Sequence, residues 1–94
     1  MANNLHISYD LHSPGQNYEE ISDAIKSLGS NWVRIHQSYW YVDSTKDSNE
    51  ACDIVWAACD ANDSVYVVDA TNNMAAWHNL PDDVSKFIQD RWYK

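Results

Sequence analysis

Ninety-four residues, 45% hydrophobic and 13% aromatic, with five Trp and six Tyr, are enough for one domain spanning 1–94 with a real core. Two independent cores do not fit so short a chain, and this apolar content excludes wholesale disorder. Fourteen Asp and Glu against six Lys and Arg give a net charge of -8, which argues against a simple nucleic-acid binder, because phosphate affinity comes mainly from cations.

The acidity favours basic partners and permits divalent metals. No apolar run approaches a membrane span. Met1-Ala2-Asn3-Asn4 has neither the basic region nor the apolar stretch of a signal peptide. A cytoplasmic chain with no membrane contact is therefore expected.

Residues 5–9, Leu-His-Ile-Ser-Tyr, alternate apolar and polar and predict a strand ending at Asp10. A loop with Pro14-Gly15 at its tip follows. Tyr18, Ile21, Ile25 and Leu28 form a helical stripe over 18–28, which Gly29 stops. The segment from Trp32 to Asp43 has room for two strands, 31–36 and 38–43, with a very tight connection near His36-Gln37. Asp47, Ser48 or Asn49 caps a second helix over 48–59.

Within that helix Cys52 and Cys59 stand two turns apart, about 10 Å along the axis. A disulfide needs Cα atoms within about 7 Å, so both are expected buried and reduced. Asp60-Ala61-Asn62-Asp63 reads as a helix exit and turn. It superficially resembles an EF-hand start, but Val65 and Thr71 stand where that loop needs Gly and Glu. Val65-Tyr66-Val67-Val68 is the strongest strand, and its unbroken apolar run predicts a central position buried on both faces. Pro81 opens a last helix with Val84, Phe87, Ile88 and Trp92 as its stripe.

The order is β-α-β-β-α-β plus a C-terminal helix. This is an α+β, ferredoxin-like arrangement, a four-stranded antiparallel sheet with two helices on one face. The other face needs a cover. The final helix, the aromatic residues themselves or a partner chain can supply it, and the surplus of Trp and Tyr favours a partner.

Several segments resemble the SinR-like small proteins: Ser8-Tyr9-Asp10-Leu11 followed by Pro14-Gly15-Gln16, Ile25-Lys26-Ser27-Leu28-Gly29, Ser38-Tyr39-Trp40, Asp60-Ala61-Asn62-Asp63 and Ala75-Ala76-Trp77. SinR-like proteins are similar to the Cas-two subunits of CRISPR adaptation and to virulence-associated protein D toxins. The resemblance implies a ferredoxin-like homodimer. Several members of that wider family are metal-dependent nucleases and others are structural. It also implies a metal-ligating role for Asp10, at the end of the first strand.

One carboxylate per chain is a poor metal site, but a two-fold axis would bring a second Asp10 alongside. The pair would then hold Mg²⁺ or Mn²⁺ and activate water. The competing reading is a turn Asp capping its loop. His12, two residues on, is a candidate acid, base or ligand. Arg34 is the one cation on strands two to four. His6, His36 and His78 show no metal-ligand spacing and read as polar loop and sheet-edge residues.

Tyr39, Trp40, Tyr41 and Tyr66, with Tyr9 and Arg34, are the expected dimer or binding surface. Exposed sheet aromatics also stack nucleobases, so a nucleotide pocket at that interface stays open. Two functions follow. One is a non-catalytic binding or inhibitor protein of phage or mobile-element anti-defence type, which blocks a nucleic-acid-binding defence protein or sequesters a nucleotide signal. The other is a metal-dependent phosphodiesterase, an endoribonuclease or DNase, using Asp10 from each protomer.

Overall fold

The computed structural model describes residues 2–12 and 18–92. The Pro14-Gly15 loop tip lies outside them. In chain order the elements are β1 (Asn3–Asp10), α1 (Tyr18–Lys26), β2 (Asn31–His36), β3 (Tyr39–Ser44), α2 (Ser48–Trp56), β4 (Ser64–Asp69) and α3 (Asp82–Arg91). The strands form one sheet in the order β2-β3-β1-β4. Every neighbouring pair is antiparallel. This is the ferredoxin-like α+β topology expected from the element order.

The alternation of β1 sets the two faces. Leu5, Ile7 and Tyr9 point to one side, where Ile21, Ile25 and Leu28 from the first helix and its exit, and Ala51 and Val55 of α2, complete the larger core. Trp40 and Val42 of β3 join it, and Val65 and Val67 of β4 pack at its edge. Each fully buried Leu or Ile in such a core is worth about 1.5–3 kcal/mol. A capping box starts α2: the Asp47 carboxylate accepts from the Glu50 backbone N–H, and the Glu50 carboxylate accepts from that of Asp47. Asp47 is thus the cap among the three expected candidates.

The opposite face carries Asn4 and His6 of β1, Val33 and Ile35 of β2, and Tyr41 of β3. Here α3 is the cover. Val84, Ile88 and Trp92 bury themselves on Tyr41 in a second core, with Phe87 and Trp77 alongside. The Asn4 side-chain amide donates to the Trp92 carbonyl at 2.6 Å, and its oxygen accepts from the Tyr41 hydroxyl at 2.9 Å. The Arg91 carbonyl lies 3.2 Å from the same hydroxyl. Asn4 and Tyr41 are both fully buried, so these bonds hold polar groups that would otherwise be stranded.

Two expectations are corrected. Strand β4 is an edge strand, paired with β1 alone, and Tyr66 and Val68 on its α3-side face are exposed. An unbroken apolar run reports two partly apolar faces, not a neighbour on both edges. The cysteines are free, as expected, but both are half-buried at the flank of α2 rather than enclosed. Burial, and then the nearby Asp63 and Asp60 carboxylates, push the Cys59 thiol pKa up, so it stays protonated.

Gly29 is needed for space. A Cβ there would lie 1.8 Å from the Asp43 carbonyl oxygen. Gly29→Ala should therefore destabilise the fold by about 1–3 kcal/mol as an overpacking change. This exceeds the about 0.4–1 kcal/mol gained from a stiffer unfolded chain. Tyr41→Phe leaves the buried Asn4 oxygen without its donor and should cost about 1–3 kcal/mol. Chemical denaturation of both variants measures these changes.

Candidate ligand cleft and the Asp10 end of the sheet

A cleft of about 320 Å³ opens between the sheet and the chain that connects β4 to α3. His6, Ile35, His36 and Tyr39 contribute from the three strands β1, β2 and β3. Ala75, Ala76, Trp77, His78 and Leu80 contribute from the connection, and Ile88 and Trp92 from α3. Three of the chain's four histidines thus converge on one cavity, and among the described residues no carboxylate, Lys or Arg lines it.

A local irregularity shapes the floor. Regular alternation would send Ile35 and His36 to opposite faces of β2. The β2–β3 register instead shifts between Arg34 and His36, with Arg34 opposite Trp40 and His36 opposite Tyr39. The residue between them, Ile35, is left without a partner, as in a β-bulge. A bulge re-aims side chains, so both Ile35 and His36 line the same cleft. The turn beyond is locked. The Gln37 carbonyl accepts from Arg34 Nε at 3.0 Å, Arg34 Nη2 at 2.8 Å and the Tyr9 hydroxyl at 3.3 Å. Arg34 also lies over the Trp40 ring. It is therefore committed to the turn that positions His36 and Tyr39.

The roof is held as firmly. Asn72 and Asn79 both take positive φ, near 61° and 62°, a backbone region that Asn tolerates better than most residues. These two bends bracket residues 73–78 and turn the segment back over the sheet. Trp77 Nε1 donates to Ser85 Oγ at 3.0 Å, and Trp92 Nε1 donates to the Asn73 carbonyl.

His6 sits at the centre of the aromatic group. It stacks on Tyr41 at a centroid distance of 5.2 Å and meets Tyr39 and Trp92 edge-on at 5.4 and 5.3 Å. Its Nδ1 lies 2.7 Å from the Tyr39 hydroxyl, while its Nε2 is sealed from solvent with no hydrogen-bond partner. Burial lowers the His6 pKa and raises that of Tyr39. Both rings are therefore neutral near pH 7. The phenol O–H then donates to Nδ1, and the proton of the imidazole resides on Nε2.

Of the residues singled out from the sequence, Asp10 and His12 come together outside the cleft. Asp10 closes β1 opposite Ser64, with its carboxylate 3.4 Å from His12 Nε2. Both side chains are exposed, at 72% and 53%. The His12 backbone N–H donates to the Asp63 carboxylate at 3.0 Å, which also accepts from the Asp60 N–H at 2.8 Å. The turn over 60–63 therefore ties down the loop leaving β1. Among the described residues, no group of three or more His, Cys, Asp or Glu is arranged to hold a metal ion.

The six residues expected at an interface divide. Tyr9, Trp40 and Tyr41 are buried inside the chain and present no surface. Tyr39 lines the cleft, Arg34 braces the turn, and Tyr66 is 69% exposed. His6, His36, His78, Trp77 and Trp92 are the site residues that sequence spacing missed.

The buried, neutral His6 carries a pH dependence. Its folded pKa lies below the ordinary 6.5, so below that pH the unfolded chain binds the extra proton. Stability should be unaffected by His6 at higher pH, should fall as pH drops through 6.5, and should stop falling once the folded imidazole protonates as well. Denaturation midpoints from pH 8 to 5 should show this slope, and His6→Phe should flatten it while keeping an aromatic ring in place.

Among the described residues, no helix is long and apolar enough to cross a membrane. In comparisons with protein-family models, curated proteins and solved structures, nothing matches this chain.

Proposed function

We propose that this chain is a non-catalytic binding protein whose ligand site is the cleft under the β4–α3 connection. The observation that carries the reading is the cleft's lining: aromatic rings and imidazoles from three strands, a loop and a helix, with no fixed charge among the described residues. Small-molecule sites are concave and mostly apolar, with a few polar groups to fix orientation, and about 300–1,000 Å³ in volume. The locked turn at Gln37 and the two asparagine bends supply rigidity before any ligand arrives. A pre-formed site spends less binding energy on ordering.

One form of the anti-defence role, sequestering a nucleotide signal in the cytoplasm, would use this cleft for the base alone, since no Lys or Arg among the described residues lines it to meet a phosphate. The other form, blocking a nucleic-acid-binding defence protein, draws support from the charge of -8, which complements basic surfaces. The resemblance to SinR-like and Cas-two proteins supports a homodimer. Tyr66, Val68 and Met74 are the exposed apolar residues on and just beyond β4 that such a contact would use.

The second reading is a metal-dependent phosphodiesterase built on Asp10. It is favoured by the exposed pairing of Asp10 with His12 and by the position of Asp10 at the end of β1. Among the described residues no Lys or Arg is paired with Asp10, and Arg34 is engaged at the turn, which weighs against it.

Incubation with RNA and DNA in millimolar Mg²⁺ or Mn²⁺ separates the two. No metal-dependent cleavage is expected from the wild type. Cleavage that disappears in Asp10→Ala would establish the phosphodiesterase. In thermal melts the same metals should leave the wild-type Tm unchanged, because a ligand stabilises only the state that binds it. A metal-dependent rise that is lost in Asp10→Asn would point the same way as cleavage.

A further inference from the structure

We infer that the cleft takes a neutral, planar nitrogen heterocycle of nucleobase or nucleoside size, without a phosphate. This rests on the reading of the cleft as a ligand site and adds the chemistry of the occupant. Three features of the lining select it.

The first is shape and surface. Tyr39 and His6 of the floor, Trp77 of the roof and Trp92 of α3 bring aromatic rings to the cleft from separate elements. Tyr39 and Trp92 stand edge-on to His6, so the lining presents ring faces in more than one orientation. A flat ring stacks on such faces, worth about 1–3 kcal/mol per base where it has been measured in single-strand binders. A saturated ring of the same volume is puckered and lies less flat against them.

The second is hydrogen-bonding character. The polar groups available are imidazoles, and a neutral imidazole offers one donor and one acceptor on opposite sides of the same ring. His36 and His78, exposed at the mouth, supply these groups, whereas His6 has its Nδ1 on the Tyr39 hydroxyl and its Nε2 sealed from solvent. Mixed donors and acceptors along one edge are the signature of a nitrogen heterocycle. A carboxylate or ammonium ligand would instead call for fixed opposite charge, and none among the described residues lines the cleft.

The third is electrostatics. Anionic groups are disfavoured in a chain of net charge -8 with no Lys or Arg among the described residues at the site. A phosphate therefore subtracts affinity, whereas the base or nucleoside alone loses nothing. Discrimination against the charged form is a difference of affinities that the acidic surroundings supply without any direct contact.

Trp77 and Trp92 line the site, so their fluorescence reads it directly. Adenosine, uridine, adenosine 5′-monophosphate and cyclohexanol are titrated at pH 7.5 and low salt, with Tm measured in parallel. At least one nucleoside should quench the fluorescence and raise Tm. The monophosphate should bind several-fold more weakly than adenosine, and cyclohexanol should do neither.

His36→Phe keeps an aromatic ring at an exposed position but removes its hydrogen bonds. It should weaken the nucleoside by about tenfold, the scale of one lost hydrogen bond, with the apo Tm little changed. Tighter binding of the monophosphate would overturn the neutral-ligand inference. Binding of cyclohexanol alone would overturn the heterocycle while leaving the cleft a ligand site. Silence from every probe at millimolar concentration would remove the cleft as a ligand site and the small-molecule form of the binding reading with it. Undiminished nucleoside binding in His36→Phe would overturn the role given to the histidines at the mouth.

Discussion

The bond network joining Asn4, Tyr41 and the C-terminal turn of α3 is the constraint on which the second face of the sheet depends. A sheet with helices on one side leaves its other side to water unless something covers it. Here Tyr41 is fully buried at the centre of that other side, and a buried phenol must find a partner for its hydroxyl. Asn4 supplies an acceptor from the neighbouring strand and at the same time donates to Trp92. The side-chain amide thereby links β1, β3 and the end of α3 in one step. The Asn4 backbone is also engaged: its N–H donates to Thr71 Oγ1 and its carbonyl accepts from the Ala70 N–H. One residue thus fixes both the start of the β4–α3 connection and the end of the helix it leads to.

The cleft follows from that anchoring. With its exit from β4 and its helix both fixed to Asn4, the intervening chain has to span the sheet as a strap. The strap does not settle flat, because the bulge at Ile35 and the edge-on rings around His6 hold the floor open beneath it. A sheet face covered by a helix alone would be filled by ridges of side chains. Covered instead by a short loop with alanines at 75 and 76, it retains a space. The surplus of Trp and Tyr is spent in this way. Trp40 and Tyr9 hydrogen-bond to each other in the larger core, and Tyr41, Trp77 and Trp92 build the smaller one.

Much of the fold is legible in the chain because it is local. The stripe of Ile21, Ile25 and Leu28, the Asp47 cap, the tight β2–β3 turn and the stripe of α3 each depend on residues a few positions apart. The ferredoxin-like order follows from those elements alone. The edge position of β4 was not legible. Val65 and Val67 pack under α2, while Tyr66 and Val68 face outward beyond the reach of α3, and the run Val-Tyr-Val-Val does not distinguish this from burial between two strands. Asp10 was singled out because the Cas-two resemblance implies a metal-ligating Asp at the end of the first strand, and the end of that strand is readable. The convergence of His6, His36 and His78 was hidden because it requires the β1–β3 and β2–β3 pairings, a bulge and a loop crossing. No spacing rule encodes those together.

The two functional readings occupy different parts of one surface. His6 and Asp10 lie on the same face of β1, since both are even-numbered positions of a regular strand. They are four residues apart, which at the rise of an extended strand is about 13 Å. A nucleoside lodged against His6 does not reach the Asp10 carboxylate across that distance, and neither Asp10 nor His12 lines the cleft. Hydrolysis at Asp10 would thus need a separate, extended substrate crossing the β1 end of the sheet, whereas retention of a heterocycle needs only the strap end. Loss of one activity carries no implication for the other. A ligand in the cleft acts on the β4–α3 strap and α3, the elements held by the Asn4 network. A metal at Asp10 would act on His12, whose backbone is tied to Asp63. Stabilisation by either is therefore expected to protect a different segment of backbone from local opening.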